Sequence, residues 1–209
     1  MKLKPEELRL YAVTDRAWTA GTAGVCRQVE AAVRGGATFV QLREKHLEHD
    51  EFLAEAKKVV AIFRAHGVKC VINDAVDIAV ESGADGVHVG QEDLEAGLAR
   101  ERLGQDRIIG VSAHNAEEAR RAQAAGADYI GSGAAFATST KENASPIGPE
   151  GLRSVVEAVD IPLVAIGGIT RANIPEHDGL GLDGGARVSA PLAQPGAEPR
   201  PPRVRRPLE

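Results

Sequence analysis

Two aspartates, Asp74 and Asp93, follow two segments of the chain that are predicted to be consecutive β-strands. The first strand ends at residues 71–73 and the second covers residues 86–90, with apolar residues at helical spacing between them. Parallel strands end at one edge of their sheet, where α/β folds bind ligands, so we expect both carboxylates at one rim. Two hard oxygen ligands suit Mg²⁺, which keeps several waters and shares a substrate phosphate. The spacing therefore predicts a Mg²⁺ site.

Helix capping is a second interpretation of both aspartates. An aspartate that follows a strand often accepts hydrogen bonds from the first backbone N–H groups of the next helix. For either aspartate taken alone, capping and metal binding explain the residue type equally well, and the sequence leaves both open.

The strands that would position these residues belong to a regular alternation with helices. Gly83-Ala84-Asp85-Gly86 and Gly126-Ala127-Asp128-Tyr129 repeat one helix-to-strand turn. Such recurrent units predict a (β/α)8 TIM barrel, formed as a single domain by residues 1–190. The seven clear strands are predicted at residues 8–15, 38–45, 71–73, 86–90, 107–114, 129–133 and 162–168.

The eighth β/α unit is predicted to be atypical and incomplete. Residues 182–189 make a weak strand because Arg187 takes an apolar position and Gly184 and Gly185 weaken it. Five prolines from Pro191 onward exclude the closing helix. We expect unpaired flanks on strands 1 and 7, covered by a partner subunit or by the tail. Residues 191–209 are predicted to be an irregular or disordered tail, and their arginines leave RNA binding as a minor alternative.

Composition restricts the class of function. A formal charge of −5 and a pI near 5.7 argue against a general nucleic-acid binder and favour a small phosphorylated substrate. The chain shows neither a secretory signal nor an apolar stretch long enough to cross a bilayer, which predicts a cytoplasmic protein without membrane contact. Cys26 and Cys70 lack the spacing of a zinc or redox pair and are predicted to be buried structural thiols.

Polar residues at four predicted strand ends converge on the same rim. A guanidinium, an ammonium and amides beside two carboxylates can hold a metal diphosphate. The loop at residues 138–141 and the glycines after strand 7 offer a second phosphate site, which would imply two phosphorylated substrates. His88 is expected in the core or behind the site, and His114 near the rim. The rim residues are Gln41, Arg43, Lys45, Asn73, Asp74, Asp93 and Ser112.

The chain resembles the thiamine-phosphate synthase family between Leu10 and about Pro175. The similarity is carried by the segments YAVTD, QLREK, IND, GADGVHVGQED, IGVSAH, GADYIGSG, TSTK, PIGPEGL and AIGGIT. The resemblance implies a (β/α)8 transferase of thiamine biosynthesis. Such an enzyme joins a hydroxymethylpyrimidine diphosphate to a thiazole phosphate and releases pyrophosphate by Mg²⁺-assisted dissociative substitution.

The resemblance also implies a role for each matching residue. Asp74 and Asp93 would hold Mg²⁺, and Arg43, Lys45 and Lys141 would stabilise the leaving pyrophosphate. The pyrimidine diphosphate would contact Gln41, Leu42, Arg43, Glu44, Lys45, Asn73, Ser112 and Lys141. The thiazole phosphate would contact Thr138, Ser139, Thr140, Gly168, Val188 and Ser189.

Two other functions remain open from the sequence. Thiazole tautomerase relatives share the barrel and the thiazole phosphate site, but the complete Gly-Gln-Glu-Asp sequence ending at Asp93 argues against them. A catalytically impaired barrel that only binds thiazole phosphate or a protein partner is motivated by the unusual C-terminal end. A homo-oligomer is compatible with every alternative.

Overall fold

The computed structural model describes residues 3–91, 96–136, 146–169 and 179–188, and strands alternate with helices through most of them. The strands are β1 (Leu10–Val13), β2 (Phe39–Leu42), β3 (Lys69–Asn73), β4 (Gly86–Val89), β5 (Ile108–Ala113), β6 (Tyr129–Ser132), β7 (Leu163–Ile166) and β8 (Gly184–Val188). The helices are α1 (Gly21–Arg34), α2 (His49–His66), α3 (Val76–Ser82), α4 (Ala96–Leu103), α5 (Ala116–Ala124) and α6 (Gly148–Val156).

The eight strands form a closed parallel barrel in sequential order. Each strand pairs with the next along the chain, and β8 pairs with both β7 and β1. The predicted (β/α)8 TIM-barrel architecture is confirmed. No helix within the described residues is both long enough and apolar enough to span a bilayer.

The expectation of unpaired flanks on strands 1 and 7 was wrong. The register of β8 matches Gly185 to Leu10 and Val188 to Val13 on one side and Gly184 to Val164 on the other. Gly184, which was expected to weaken β8, is required there, because a Cβ at this position would lie 1.9 Å from the carbonyl oxygen of Leu8. The closing helix and the tail, residues 189–209, lie outside the described residues.

A side chain just before each even-numbered strand links that strand to the preceding odd-numbered one. Its oxygen accepts a hydrogen bond from a backbone N–H at the start of the odd-numbered strand, with lengths of 2.8–3.0 Å. The pairs are Thr38 with Leu10, Asp85 with Cys70, Asp128 with Ile109, and Asp183 with Leu163. The last strand pair thus has the same connection as the other three.

Two apolar cores lie on opposite faces of the barrel wall. The outer core packs strand side chains such as Val40 and Ile72 against helix side chains such as Val29, Val59 and Leu152. The inner core closes the floor of the barrel with buried residues that include Tyr11, Phe39 and Tyr129. Strand side chains alternate between these cores, as the period of a β-strand requires.

A buried ion cluster ties the turn after β1 to the turn after β2 and to α2. Arg16 Nε lies 2.8 Å from a Glu44 carboxylate oxygen, and its Nη2 lies 2.6 Å from Glu55. The carboxylates are 2% and 0% exposed, whereas Arg16 is 28% exposed. Two carboxylates thus share one guanidinium. Burial raises the pKa of the Glu44 carboxyl; the Arg16 guanidinium opposes that rise, and the negative charge of Glu55 adds to it.

The prediction for the two thiols is confirmed for one of them. Cys70 is fully buried in β3, where burial raises its pKa, whereas Cys26 on α1 is half-buried. Both are free thiols.

Gly184→Ala is expected to lower the free energy of unfolding by about 1–3 kcal/mol, because its Cβ would clash with the Leu8 carbonyl. Gly185→Ala is the matched control, since its Cβ would lie 3.6 Å from Ile169 Cδ1, an ordinary contact. Urea unfolding followed by circular dichroism measures both. Equal unfolding midpoints for the two variants would contradict the close approach of β8 to Leu8.

Arg16→Gln is expected to destabilise the protein by about 3 kcal/mol at pH 8 and by much less near pH 5. A carboxyl whose pKa is raised in the folded state lowers the free energy of unfolding as the pH rises above 4.5, the ordinary pKa of the group. Removing the guanidinium raises that pKa further, so the loss grows with pH. Urea unfolding at several pH values measures this.

Arg34→Gln is the control, because its surface pair with Glu30 spans 3.7 Å and both side chains are largely exposed. We expect this control to change stability by less than about 0.5 kcal/mol at every pH. A loss in Arg16→Gln that does not depend on pH would refute the shared-cation interpretation.

Candidate active site

A layer of polar side chains lies above the aromatic floor of the barrel. Gln41, Asn73, His88 and Ser112 occupy the inward-facing positions on β2 to β5, two residues beyond inner-core or glycine positions. Gln41, Asn73 and His88 are buried, and Ser112 is half-buried. The carboxyl ends of β2, β3 and β5 therefore bring Gln41, Asn73 and Ser112 to one mouth, and His88 on β4 lies buried beneath it between Tyr129 and Ser112.

Gln41 presents an amide nitrogen without a partner among the described residues. The side chain is 4% exposed, and its Nε2 is a buried donor that makes no hydrogen bond there. A buried polar donor without an acceptor is costly, so this amide nitrogen is a candidate contact for a polar ligand in the mouth.

Asp74 has a strained backbone at the end of β3. Its φ is +61°, the only positive value for a non-glycine residue in the described part of the chain. Its Oδ2 receives a 2.5 Å hydrogen bond from Asn73 Nδ2 and lies 3.3 Å from Lys45 Nζ. Ala75, and not Asp74, occupies the N-cap position of α3. The geometry places this carboxylate at the rim beside a cation and argues against the capping interpretation.

The side chains of residues 42–45, at the end of β2 and in the turn after it, divide between two faces of the barrel wall. The Leu42 side chain packs in the outer core, and Glu44 faces Arg16, so neither side chain points into the mouth. Lys45 reaches Asp74, and the backbone N–H of Arg43 donates to Thr14 Oγ1 at 2.9 Å. Thr14 positions the turn after β2, and the sequence did not single it out, although it belongs to the YAVTD segment.

Ser112 is held from two sides at the end of β5. Its Oγ lies 3.0 Å from His88 Nε2, and its carbonyl oxygen accepts a 2.6 Å hydrogen bond from Gln91 Nε2. The start of the Gly-Gln-Glu-Asp segment thus folds over Ser112. His114 lies nearby in sequence, but its backbone N–H and its ring are hydrogen-bonded to the Glu118 carboxylate. Burial raises the pKa of the Glu118 carboxyl, but the hydrogen bonds from His114 outweigh that effect and lower the pKa.

The end of β7 carries two left-handed glycines. Gly167 has a φ of +91° and Gly168 a φ of +67°, and the Gly167 carbonyl accepts from Phe136 N at 3.1 Å. The backbone of Val188 pairs with Val13, which also pairs with Gln41, so the end of β8 lies two strands away from Gln41 around the barrel. The turn after β7 and the end of β8 therefore reach the same mouth.

Several predicted site residues lie outside the described residues: Asp93, Thr138, Ser139, Thr140, Lys141 and Ser189. Within the described ranges, no group of three or more His, Cys, Asp or Glu side chains could hold a metal ion. The donor chemistry that is described fits Mg²⁺ in one respect, because Asp74 provides a hard carboxylate at the rim, 31% exposed.

Comparison with known proteins identifies the family of this chain. Residues 10–190 match the family model described as thiamine monophosphate synthase. The thiamine-phosphate synthase of Caldanaerobacter subterraneus is 46% identical over 181 residues, covering 85% of this chain and 84% of that protein. The chloroplastic thiamine biosynthetic bifunctional enzyme of Arabidopsis thaliana is 50% identical over 89% of this chain, which spans 36% of that longer enzyme.

A solved structure agrees with the sequence relatives. Thiamine phosphate pyrophosphorylase from Pyrococcus furiosus superposes with a TM-score of 0.82 at 38% identity, covering 91% of this chain and 90% of that one. The match extends over the barrel that carries the rim residues described above. The chain therefore belongs to the thiamine monophosphate synthase family and is an enzyme of the transferase class.

Proposed function

We propose that this chain joins hydroxymethylpyrimidine diphosphate to thiazole phosphate, giving thiamine phosphate and pyrophosphate. The observation that carries the proposal is the arrangement at Asp74, where the carboxylate of a residue with a strained backbone meets an ammonium and an amide. The amide nitrogen of Gln41, which makes no hydrogen bond within the described residues, lies on the neighbouring strand. Family membership supports the same reaction.

The proposed reaction exchanges one bond for another at the pyrimidine methylene carbon. The carbon–oxygen bond breaks first, its electron pair leaves with pyrophosphate, and the pyrimidine stabilises the resulting cation. The thiazole nitrogen then donates its lone pair to form the carbon–nitrogen bond. This chemistry needs no protein nucleophile. The residues of the chain have to bind both substrates, stabilise the departing charge and exclude water.

Mg²⁺ is the proposed cofactor, held by Asp74 and Asp93, and when bound it would supply positive charge to the diphosphate oxygens. Arg43, Lys45 and Lys141 are proposed to stabilise the charge that grows on the leaving group, which is a transition-state effect. Lys45 lies close enough to Asp74 to act on the same diphosphate. Gln41, Asn73 and Ser112 are proposed to bind the pyrimidine diphosphate, together with the backbone of residues 42–44.

The thiazole phosphate is proposed to bind on the opposite side of the mouth, at Thr138, Ser139, Thr140, Gly168, Val188 and Ser189. The left-handed turn at Gly167 and Gly168 supports this proposal, because two residues without side chains leave space for a phosphate at the end of β7. The closed aromatic floor beneath the mouth supports exclusion of water from the cation.

A turnover assay with both substrates, following pyrophosphate release and thiamine phosphate formation, tests the proposal. Formation of both products in equal amounts would support it. Isomerisation of a thiazole carboxylate phosphate without pyrophosphate release would indicate a tautomerase instead. Tight binding of thiazole phosphate without turnover would indicate an impaired barrel. A homo-oligomer stays a prediction and is tested separately by light scattering.

Asp74→Asn and Asp93→Asn are each expected to lower turnover about 100-fold, because each removes a ligand charge from Mg²⁺. Asparagine tolerates the left-handed backbone at position 74, so circular dichroism should show an intact fold. Calorimetric titration of Mg²⁺ in the presence of pyrophosphate should show weaker binding. Asp77→Asn is the control, since that exposed side chain pairs with Arg102 on the outer surface. Wild-type turnover of Asp74→Asn at limiting Mg²⁺ would refute the metal assignment.

Arg43→Ala and Lys141→Ala are expected to reduce the single-turnover rate by about 10- to 100-fold while changing thiazole phosphate affinity by less than about threefold, because their charges act on the departing pyrophosphate. Rapid-quench kinetics and calorimetry measure the two quantities. The exposed residue Lys58 on α2 supplies a control variant, Lys58→Ala. An unchanged single-turnover rate together with lost thiazole phosphate affinity would assign these cations to the other substrate.

A further inference from the structure

A chain of hydrogen bonds runs through the interior of the barrel from its floor to the mouth. Tyr11 Oη lies 2.8 Å from Tyr129 Oη, which lies 2.9 Å from His88 Nδ1. On the other side of the ring, His88 Nε2 lies 3.0 Å from Ser112 Oγ. Both phenols are fully buried, His88 is 4% exposed, and only Ser112 is half-buried.

The barrel makes room for this chain with two glycines. A Cβ at Gly110 would lie 2.1 Å from Tyr129 Cζ, and a Cβ at Gly131 would lie 2.9 Å from His88 Cε1. Both glycines occupy inward-facing positions on β5 and β6. Side chains there would occupy the space of the two rings, so the packing fixes the rings in hydrogen-bonding contact.

The direction of the hydrogen bonds follows from counting donors. If Ser112 donated to His88 Nε2, the imidazole would carry its proton on Nδ1, and Tyr129 would have to donate to Tyr11. The Tyr11 proton would then need another acceptor, and its hydroxyl makes no further hydrogen bond within residues 3–91, 96–136, 146–169 and 179–188. A buried hydroxyl proton without an acceptor is strongly disfavoured. An imidazolium would leave the same proton without an acceptor.

The opposite direction satisfies every group. Tyr11 donates to Tyr129, Tyr129 donates to His88 Nδ1, and His88 donates from Nε2 to Ser112 Oγ. Burial raises the pKa of both phenols, so both keep their protons and can donate. The Ser112 hydroxyl accepts from His88 and keeps its own proton for a ligand in the mouth.

We propose that Tyr11, Tyr129 and His88 form a one-way relay that makes Ser112 a hydrogen-bond donor toward the mouth of the barrel. The ligand group that fits is an anionic oxygen, which accepts hydrogen bonds and is repelled by an outward-facing lone pair. Assigning that oxygen to the substrate diphosphate rests on the proposed function. His88 is then a positioning residue, and it selects for an anion by fixing the polarity of Ser112.

The tautomer of His88 is the direct test. Long-range ¹H–¹⁵N correlation spectra of protein labelled with ¹⁵N-histidine should show one buried neutral ring protonated at Nε2 near pH 7.5. The chain has six histidines, and His88→Gln identifies the signal that belongs to this one. A ring protonated at Nδ1, or at both nitrogens, would overturn the relay.

Two matched tyrosine variants separate the relay from simple packing. Tyr11→Phe should keep the Nε2–H tautomer, because Tyr129 can still donate only to His88. Tyr129→Phe removes the donor at Nδ1, so the ring should no longer be held in one tautomer. The relay is wrong if both variants retain the tautomer, or if Tyr11→Phe disturbs it as much as Tyr129→Phe does.

Binding of pyrophosphate with Mg²⁺, measured by calorimetry, gives the functional half of the test. Tyr129→Phe is expected to weaken binding about fivefold when Ser112 is present and less than about twofold in a Ser112→Ala background, because the effect acts through that hydroxyl. Equal weakening in both backgrounds would mean a structural effect only and would overturn the proposal. If the wild-type chain fails to bind pyrophosphate, the proposed function fails, whereas the imidazole spectra still decide the relay.

Discussion

Closure of the eight-stranded sheet depends on β8 fitting between β7 and β1, and the tightest point of that fit is Gly184 against the carbonyl oxygen of Leu8. The first 3₁₀ turn, Pro5–Leu8, covers the floor of the barrel, so the last strand has to pass a backbone atom and leaves no room for a side chain. Barrel closure in turn removes both sheet edges and holds the strand ends in a ring. Every candidate site residue depends on that ring.

Side chains that point inward from the strands have to fill the interior of the barrel. The floor uses three aromatic rings, with Tyr11 and Phe39 at a centroid distance of 4.9 Å and Phe39 and Tyr129 at 5.6 Å. Glycines on β5 and β6 give space to Tyr129 and His88, so the polar layer rests directly on the apolar one. Polar groups of the candidate site such as Ser112 are therefore supported by packed rings and not by solvent.

A cluster of charged side chains lies behind the rim, on the outer side of the barrel wall. Arg16 binds Glu44 and Glu55 there, which fixes the turn after β2 from outside while Lys45 in the same turn reaches Asp74 on the inside. The alternation of side chains along an extended backbone produces this division. One short segment thus serves both the stability of the barrel and the proposed diphosphate site, and this explains how Glu44 can belong to a candidate site segment without facing the mouth.

The alternating pattern of apolar runs and helix-to-strand turns determined the architecture, and strand-end position alone was enough to bring Gln41, Asn73, Asp74 and Ser112 to one mouth. The eighth strand was predicted to be weak and to leave strands 1 and 7 unpaired, although Gly181-Leu182-Asp183-Gly184 repeats the turn seen at Gly83 and Gly126. Its two glycines indicate a weak strand from the sequence alone, because the neighbour that requires Gly184, Leu8, is 176 positions away in the sequence. Only the tertiary structure decided that contact, the left-handed Asp74 and the Tyr11-to-Ser112 chain, since each depends on atoms that strand pairing brings together from distant parts of the sequence.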